Sequence, residues 1–174
     1  MQPPGSEGAG TWICSDGIGY LGMAGILGIM WLVVVVVGSL VALFVSHDRP
    51  ARLSLVLLAA SSTAWILGLT WYGSTTHVQD EHAPMTGAEY WADAVGPAAL
   101  ISAIGVLVGL LSLVPTGPFS WILGIVATVM LIVATVLQPG LSINLIPAAG
   151  VLAAAAVRGI GHGGPGTKHP HAVA

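Results

Sequence analysis

The fold is decided by residues 21–45, which read LGMAGILGIMWLVVVVVGSLVALFV and contain no charged side chain. A helix needs about 20 apolar residues to cross the hydrocarbon core of a bilayer, and this stretch is long enough. The same bias extends over the whole chain, because 55 % of its 174 residues are hydrophobic and only 6 % are charged. An ordinary soluble domain has roughly a quarter of its residues charged. The composition therefore excludes a soluble enzyme, a nucleic-acid binder and a disordered chain, and it predicts a protein embedded in lipid.

Three further stretches have the length and apolarity of membrane spans: residues 53–71, 97–114 and 119–137. Residues 141–157 form a shorter fifth stretch, in which Asn144 and Pro147 weaken the first turn, although proline is tolerated there. The alternation of apolar and polar residues that marks barrel strands is absent from the sequence. We therefore expect an all-α integral membrane protein with a five-helix transmembrane bundle. The alternative is four spans plus an interfacial or re-entrant C-terminal helix.

The basic residues favour one of these two arrangements, because short loops that carry Lys and Arg stay in the cytoplasm. Arg49 and Arg52 lie between the first two spans, so that turn is expected inside. If the fifth stretch crosses the membrane, Arg158 and Lys168 reach the same side; with four spans they would lie outside. Five spans are therefore favoured, with the N-terminus outside and the C-terminus inside. All acidic residues except Asp48 then fall on the outer side.

This topology divides the chain into three parts. Residues 1–20 form an extracytoplasmic N-terminal segment, and residues 21–157 form a single transmembrane helical domain. Residues 158–174 are rich in His, Gly and Pro, which predicts a flexible cytoplasmic tail. The scarcity of Lys, Asn and Phe indicates a GC-rich genome, so we expect a multi-pass protein of a bacterial plasma membrane.

The longest connection is the outer loop over residues 72–96. Thr86 and Glu89 match the spacing of a capping box, in which the two side chains bond to each other's backbone N–H groups. This pattern predicts a short interfacial helix over about residues 87–95, which leads into the third span at Pro97.

Small residues four positions apart recur in the expected spans. Lipid provides little hydrophobic force between helices, so close approach of their backbones is important for packing. A chain rich in Gly and Ala also produces such pairs by chance. The candidates for packing, within the bundle or against another membrane protein, are Ala24, Gly28, Ala60, Ala64, Gly68, Gly105, Gly109, Gly150 and Ala154.

One cluster in the outer loop carries metal-ligating residue types: His77, Asp80, His82 and Met85. Imidazole and carboxylate groups suit zinc, and a thioether suits copper. The spacing matches no metal motif, and loops accumulate polar residues without binding metal. A copper or zinc site at these four residues is therefore one hypothesis, and a solvated loop without a cofactor is the alternative that the sequence favours.

The sequence shows no catalytic constellation. The expected spans hold no Asp, Glu, Lys, Arg or His, whereas proton relays and ion-coupled transporters place ionisable residues there. No phosphate-binding loop, zinc-protease or serine-hydrolase motif occurs. We therefore expect a protein that is not an enzyme and has no catalytic or cofactor-binding residues.

Two functions remain as expectations. The first is a non-catalytic accessory subunit of a larger bacterial membrane complex, with a respiratory oxidase or supercomplex as one candidate host. The alternative is a small transporter or metal-handling protein that uses the outer loop; a membrane enzyme has the least support. The expected partners are the lipid bilayer, other membrane-protein subunits and a basic partner on the acidic outer side, and no nucleic acid is expected.

Overall fold

The computed structural model describes residues 17–77, 84–115 and 118–158 of the protein. This part of the chain is helical throughout and contains no strand. Its elements are α1 (Gly17–Phe44), α2 (Asp48–His77), α3 (Gly87–Leu111), α4 (Pro118–Leu137) and, after a 3-10 turn at Pro139–Leu141, α5 (Ser142–Arg158). All five helices are long and apolar enough to cross a membrane, α5 together with its preceding turn. The all-helical fold and the presence of five candidate spans are therefore confirmed.

Helix α3 begins at the capping box. The Glu89 N–H donates to the Thr86 hydroxyl at 3.3 Å, and the Thr86 N–H donates to the Glu89 carboxylate at 2.8 Å. The sequence divides this region at Pro97 into a short interfacial helix and a span, but in the structure one helix runs through Pro97 to Leu111. Pro97 removes a single helical hydrogen bond, the one to the carbonyl of Asp93. The helix continues because its packing against α2 and α4 outweighs this loss.

Helices α2, α3, α4 and α5 form a closed four-helix bundle, in which each helix contacts the next and α5 returns to α2. Helix α1 packs on the outside of this bundle, against α2 and α5. Short connections make consecutive helices antiparallel. The C-terminal ends of α1, α3 and α5 therefore meet the N-terminal ends of α2 and α4 at the same end of the molecule.

The interior is filled mainly by small and medium side chains. One core cluster joins α2, α4 and α5, with Leu55, Ala127 and Leu152 among its members. A second cluster lies nearer the end of the bundle at which α3 begins, and α3 contributes Ala98 and Ala99 to it. Many of the large apolar side chains face outward, which suits a bundle surrounded by lipid, where small residues allow the backbones to approach each other.

Candidate functional site

Three arginines lie at the end of the bundle where α2 begins and α5 ends: Arg49, Arg52 and Arg158. We call this the arginine end. The Arg158 guanidinium donates to the backbone carbonyls of Val45, at 2.7 Å, and Ala42. It also lies 3.9 Å from the Asp48 carboxylate. The last carbonyls of a helix have no partner within the helix and form the negative end of its dipole. Arg158 therefore joins the end of α5 to the end of α1.

Arg52 makes an equivalent connection on the other side of the arginine end. Its guanidinium donates to the Ser112 carbonyl at 3.0 Å and to the Ser120 hydroxyl. These contacts join the start of α2 to the end of α3 and the start of α4. The Arg52 Nε is buried and has no partner among the described residues. Both arginines thus contact the ends of helices and not the middle of the bundle.

Two tryptophans organise the opposite end, which we call the aromatic end. The Trp91 indole N–H donates to the Thr70 hydroxyl at 3.0 Å. The rings of Trp71 and Trp91 meet edge to face, with their centroids 5.1 Å apart and an interplanar angle of 88°. Tryptophan is enriched where a membrane protein passes through the interface, because the ring is apolar and its N–H is polar. This contact joins the end of α2 to the beginning of α3.

Hydroxyl groups supply most of the polar atoms in the interior of the bundle. Those of Thr63, Ser102 and Thr128 donate to carbonyls of their own helices, at 2.9, 3.0 and 2.9 Å. Ser62 instead donates across the bundle to the Asn144 carbonyl at 3.1 Å. These hydroxyls are bonded to backbone and carry no charge, so they form neither an acid–base pair nor an activated nucleophile.

Asn144 is a polar residue whose position the sequence reasoning missed. Its side-chain amide is fully buried, and both polar atoms lack a partner among the described residues. From the sequence alone, the only effect expected of Asn144 is that it weakens the first turn of the fifth span. The signal that could have identified it is that it is the one asparagine of the chain and lies in an apolar stretch.

The candidate packing glycines fall into two groups, according to what a Cβ added to each would meet. In the closed group, which lies inside the bundle, the added Cβ would contact a neighbouring helix. A Cβ added to Gly105 would lie 2.7 Å from Leu131 Cδ1, and one added to Gly109 would lie 3.2 Å from Leu152 Cδ2. Gly124 also belongs to the closed group: its added Cβ would lie 2.7 Å from the Cβ and 3.2 Å from the Cα of Ala156, so the backbones of α4 and α5 themselves approach closely there. Gly124 was not among the candidates because the residues four positions away are serine and threonine.

The open group lies on the outer surface. A Cβ added to Gly28, Gly68 or Gly150 would meet nothing within 4 Å. Ala64 is exposed, and Ala60 and Ala154 are half-buried. The side chain of Ala24 lies outside the described residues. Among the residues that the structure describes, the open glycines therefore do not mediate close helix contacts.

The predicted metal ligands fall at or beyond the end of α2. The side chains of His77, Asp80 and His82 lie outside the described residues, and Met85 is exposed. Among the residues that the structure describes, no group of three or more His, Cys, Asp or Glu side chains could hold a metal ion. The copper or zinc site in the outer loop stays a prediction.

An open groove runs along the surface between α1 and α5. It has a volume of about 290 Å³, and its lining includes Val34, Gly38, Ala42, Gly150, Val151 and Ala154. The walls are mainly apolar, and small residues on both helices give the groove its depth.

No protein-family model, curated protein or solved structure matches this chain.

Proposed function

We propose that the chain is a non-catalytic accessory subunit of a larger complex in a bacterial plasma membrane, with a respiratory oxidase or supercomplex as one candidate host. The observation that carries this proposal is the contrast between its glycines. Gly105, Gly109 and Gly124 are closed against neighbouring helices, whereas Gly68 is open on the outer face of α2. Among the described residues, the buried polar side chains are those of Ser, Thr and Asn, and such an interior offers little for transport or catalysis. An open small-residue face offers a place for another helix.

The docking face that we assign to the partner lies on α2. Ser61, Ala64 and Gly68 are exposed there at helical spacing, with Leu57 and Trp65 also exposed beside them. Residues three or four positions apart share one side of a helix. A helix of another membrane subunit could approach the α2 backbone closely along this line, while the larger side chains pack around it. The proposed partner is therefore a transmembrane helix of a different protein.

The charges support an orientation with the arginine end in the cytoplasm. Basic residues near membrane spans remain on the cytoplasmic side, and the described arginines all lie at one end. Glu89 and Asp93 are exposed near the aromatic end. In this orientation the N-terminus lies outside, and the acidic outer end would favour a partner with a basic extracytoplasmic surface.

Affinity purification of the full chain in mild detergent, followed by mass spectrometry, tests the proposal. We expect stoichiometric co-purification of other membrane subunits. Gly68→Leu should abolish it, because position 68 is exposed and open at its Cβ, so the larger side chain takes space on the docking face. Gly150→Leu is the matched control, since it makes the same change at an open glycine on another surface. A chain that migrates alone, or a partner that both variants retain equally, would contradict the proposal.

A further inference from the structure

The groove between α1 and α5 has a floor set by one close contact. A Cβ added to Gly38 would lie 2.7 Å from Val151 Cγ1, so α1 and α5 touch at this point. Gly150, on the α5 wall, is exposed and has nothing within 4 Å of its added Cβ. The groove is therefore narrow at its base and open towards the surrounding lipid.

The groove has the length of one leaflet. Its α1 wall extends from Val34 to Ala42, and its α5 wall from Pro147 to Ala154. At 1.5 Å per residue the α1 wall is about 12 Å long, compared with about 15 Å for half of the hydrocarbon core. A transmembrane helix that docked here would extend over both leaflets and leave most of its length outside the groove. An acyl chain from the leaflet at the arginine end matches the length.

Arg158 marks the end of the groove at the membrane surface. It follows Ala154 by one helical turn on the same face, and its guanidinium donates to the carbonyl of Ala42 on the opposite wall. The side chain is 22 % exposed, and a guanidinium has N–H groups beyond those that it gives to the two carbonyls. Arg49 and Arg52 lie at the same end and Asp48 supplies one negative charge, so positive charge is in excess there.

We propose that the groove binds an anionic phospholipid. One acyl chain lies between α1 and α5, and the phosphate accepts charge-assisted hydrogen bonds from Arg158. Arginine suits this role because its planar guanidinium matches the geometry of phosphate oxygens. The bound lipid would fill the space between the two walls and strengthen the attachment of α1 to the bundle. This site is separate from the α2 docking face, so it holds whether or not the chain has a partner subunit.

Native mass spectrometry of the full chain in detergent, titrated with phosphatidylglycerol and with phosphatidylcholine of identical acyl chains, tests the proposal. We expect one phosphatidylglycerol per chain, bound about tenfold more tightly than phosphatidylcholine. Both lipids carry the same phosphate, but the choline cation of phosphatidylcholine is repelled by the excess positive charge at the arginine end. Arg158→Gln should remove this preference. Arg49→Gln is the matched control, because it makes the same change of charge at an exposed arginine that does not line the groove, and it should lower the preference less than Arg158→Gln does.

A second variant tests the acyl-chain part of the site without changing any charge. Gly150→Leu should weaken the binding of both lipids, because position 150 lines the groove and is open at its Cβ, so the leucine side chain takes space that the acyl chain would occupy. Gly68→Leu on α2 should leave lipid binding unchanged. This pair keeps the proposal testable even if Arg158→Gln fails to fold.

Four results would overturn the proposal. The first is equal binding of the two lipids by the unmodified chain. The second is lipid affinity that Gly150→Leu leaves unchanged. The third is full displacement of the lipid by inorganic phosphate at low concentration, which would identify a site for the free anion. The fourth is a homodimer that Gly150→Leu converts to a monomer, which would assign the groove to a second copy of the chain.

Discussion

Gly124→Ala should weaken the contact between α4 and α5. The new Cβ would lie 2.7 Å from the Cβ of Ala156 and 3.2 Å from its Cα. Neither atom belongs to the far end of a flexible side chain, so the helices must move apart. Overpacking costs about 1–3 kcal/mol, whereas replacing a helical glycine with alanine gains up to about 1 kcal/mol. Since the clash involves atoms attached to the α5 backbone, we expect a net loss of about 1–2 kcal/mol in the free energy of unfolding.

Gly150→Ala is the matched control for this change. Its Cβ meets nothing within 4 Å, so the substitution keeps the gain in helix propensity and adds no clash. We expect it to raise the free energy of unfolding by up to about 1 kcal/mol. The two variants should therefore differ by the overpacking cost alone, about 1–3 kcal/mol. Unfolding by sodium dodecyl sulfate in mixed micelles, followed by circular dichroism, measures this difference.

A compensating substitution separates the clash from any general effect of alanine at position 124. Ala156→Gly removes the Cβ that the new methyl group meets, so Gly124→Ala should destabilise this background less than the unmodified chain. A double-mutant cycle measures the coupling between the two positions. If Gly124→Ala is as stable as Gly150→Ala, or if the coupling is zero, α4 and α5 do not pack at this point. The alternative of an interfacial α5 would then regain support.

Three further predictions concern single sites. Asn144→Leu should leave stability unchanged or raise it by about 1–3 kcal/mol in the same unfolding assay, because it replaces a buried amide without a described partner by an apolar group of similar size; a clear loss would show that the amide is bonded. Trp91→Phe should cost at least about 1 kcal/mol, since it removes the hydrogen bond to Thr70 and replaces the indole by a smaller phenyl ring; an unchanged unfolding midpoint would argue against that bond. If the outer loop binds copper or zinc, replacing His77 and His82 with alanine should abolish metal binding in calorimetry, and unchanged binding would exclude these ligands.

The helices could be predicted from the sequence because their signals are local. Each span shows itself as an apolar stretch, and the capping box at Thr86 is a pattern within four residues. The continuation of α3 through Pro97 could not be predicted in this way. Proline weakens a helix locally, and the contacts of α3 with α2 and α4, which outweigh that cost, lie far away in the sequence.

The separation of closed from open glycines could not be predicted for the same reason. Gly105 and Gly68 both lie in apolar stretches with a small residue four positions away. One faces Leu131 of another helix and the other faces outward, and this difference depends on which helix lies opposite. The charge of Arg158 likewise indicates from the sequence which way the chain crosses the membrane. Its hydrogen bond to the Val45 carbonyl, however, joins residues 113 positions apart. Local patterns contain no information about such a contact.

The attachment of α1 to the bundle depends on Arg158, one of the few charged residues of the chain. Among the described side chains of α1, Val34 and Gly38 alone are buried. Apolar contacts give α1 little preference for the bundle, because lipid tails solvate its surface equally well. The hydrogen bonds from Arg158 to the carbonyls that end α1 are different, since lipid tails have no donors that could replace them. The arginine whose charge favours a cytoplasmic C-terminus is therefore also the residue that holds the first helix to the last.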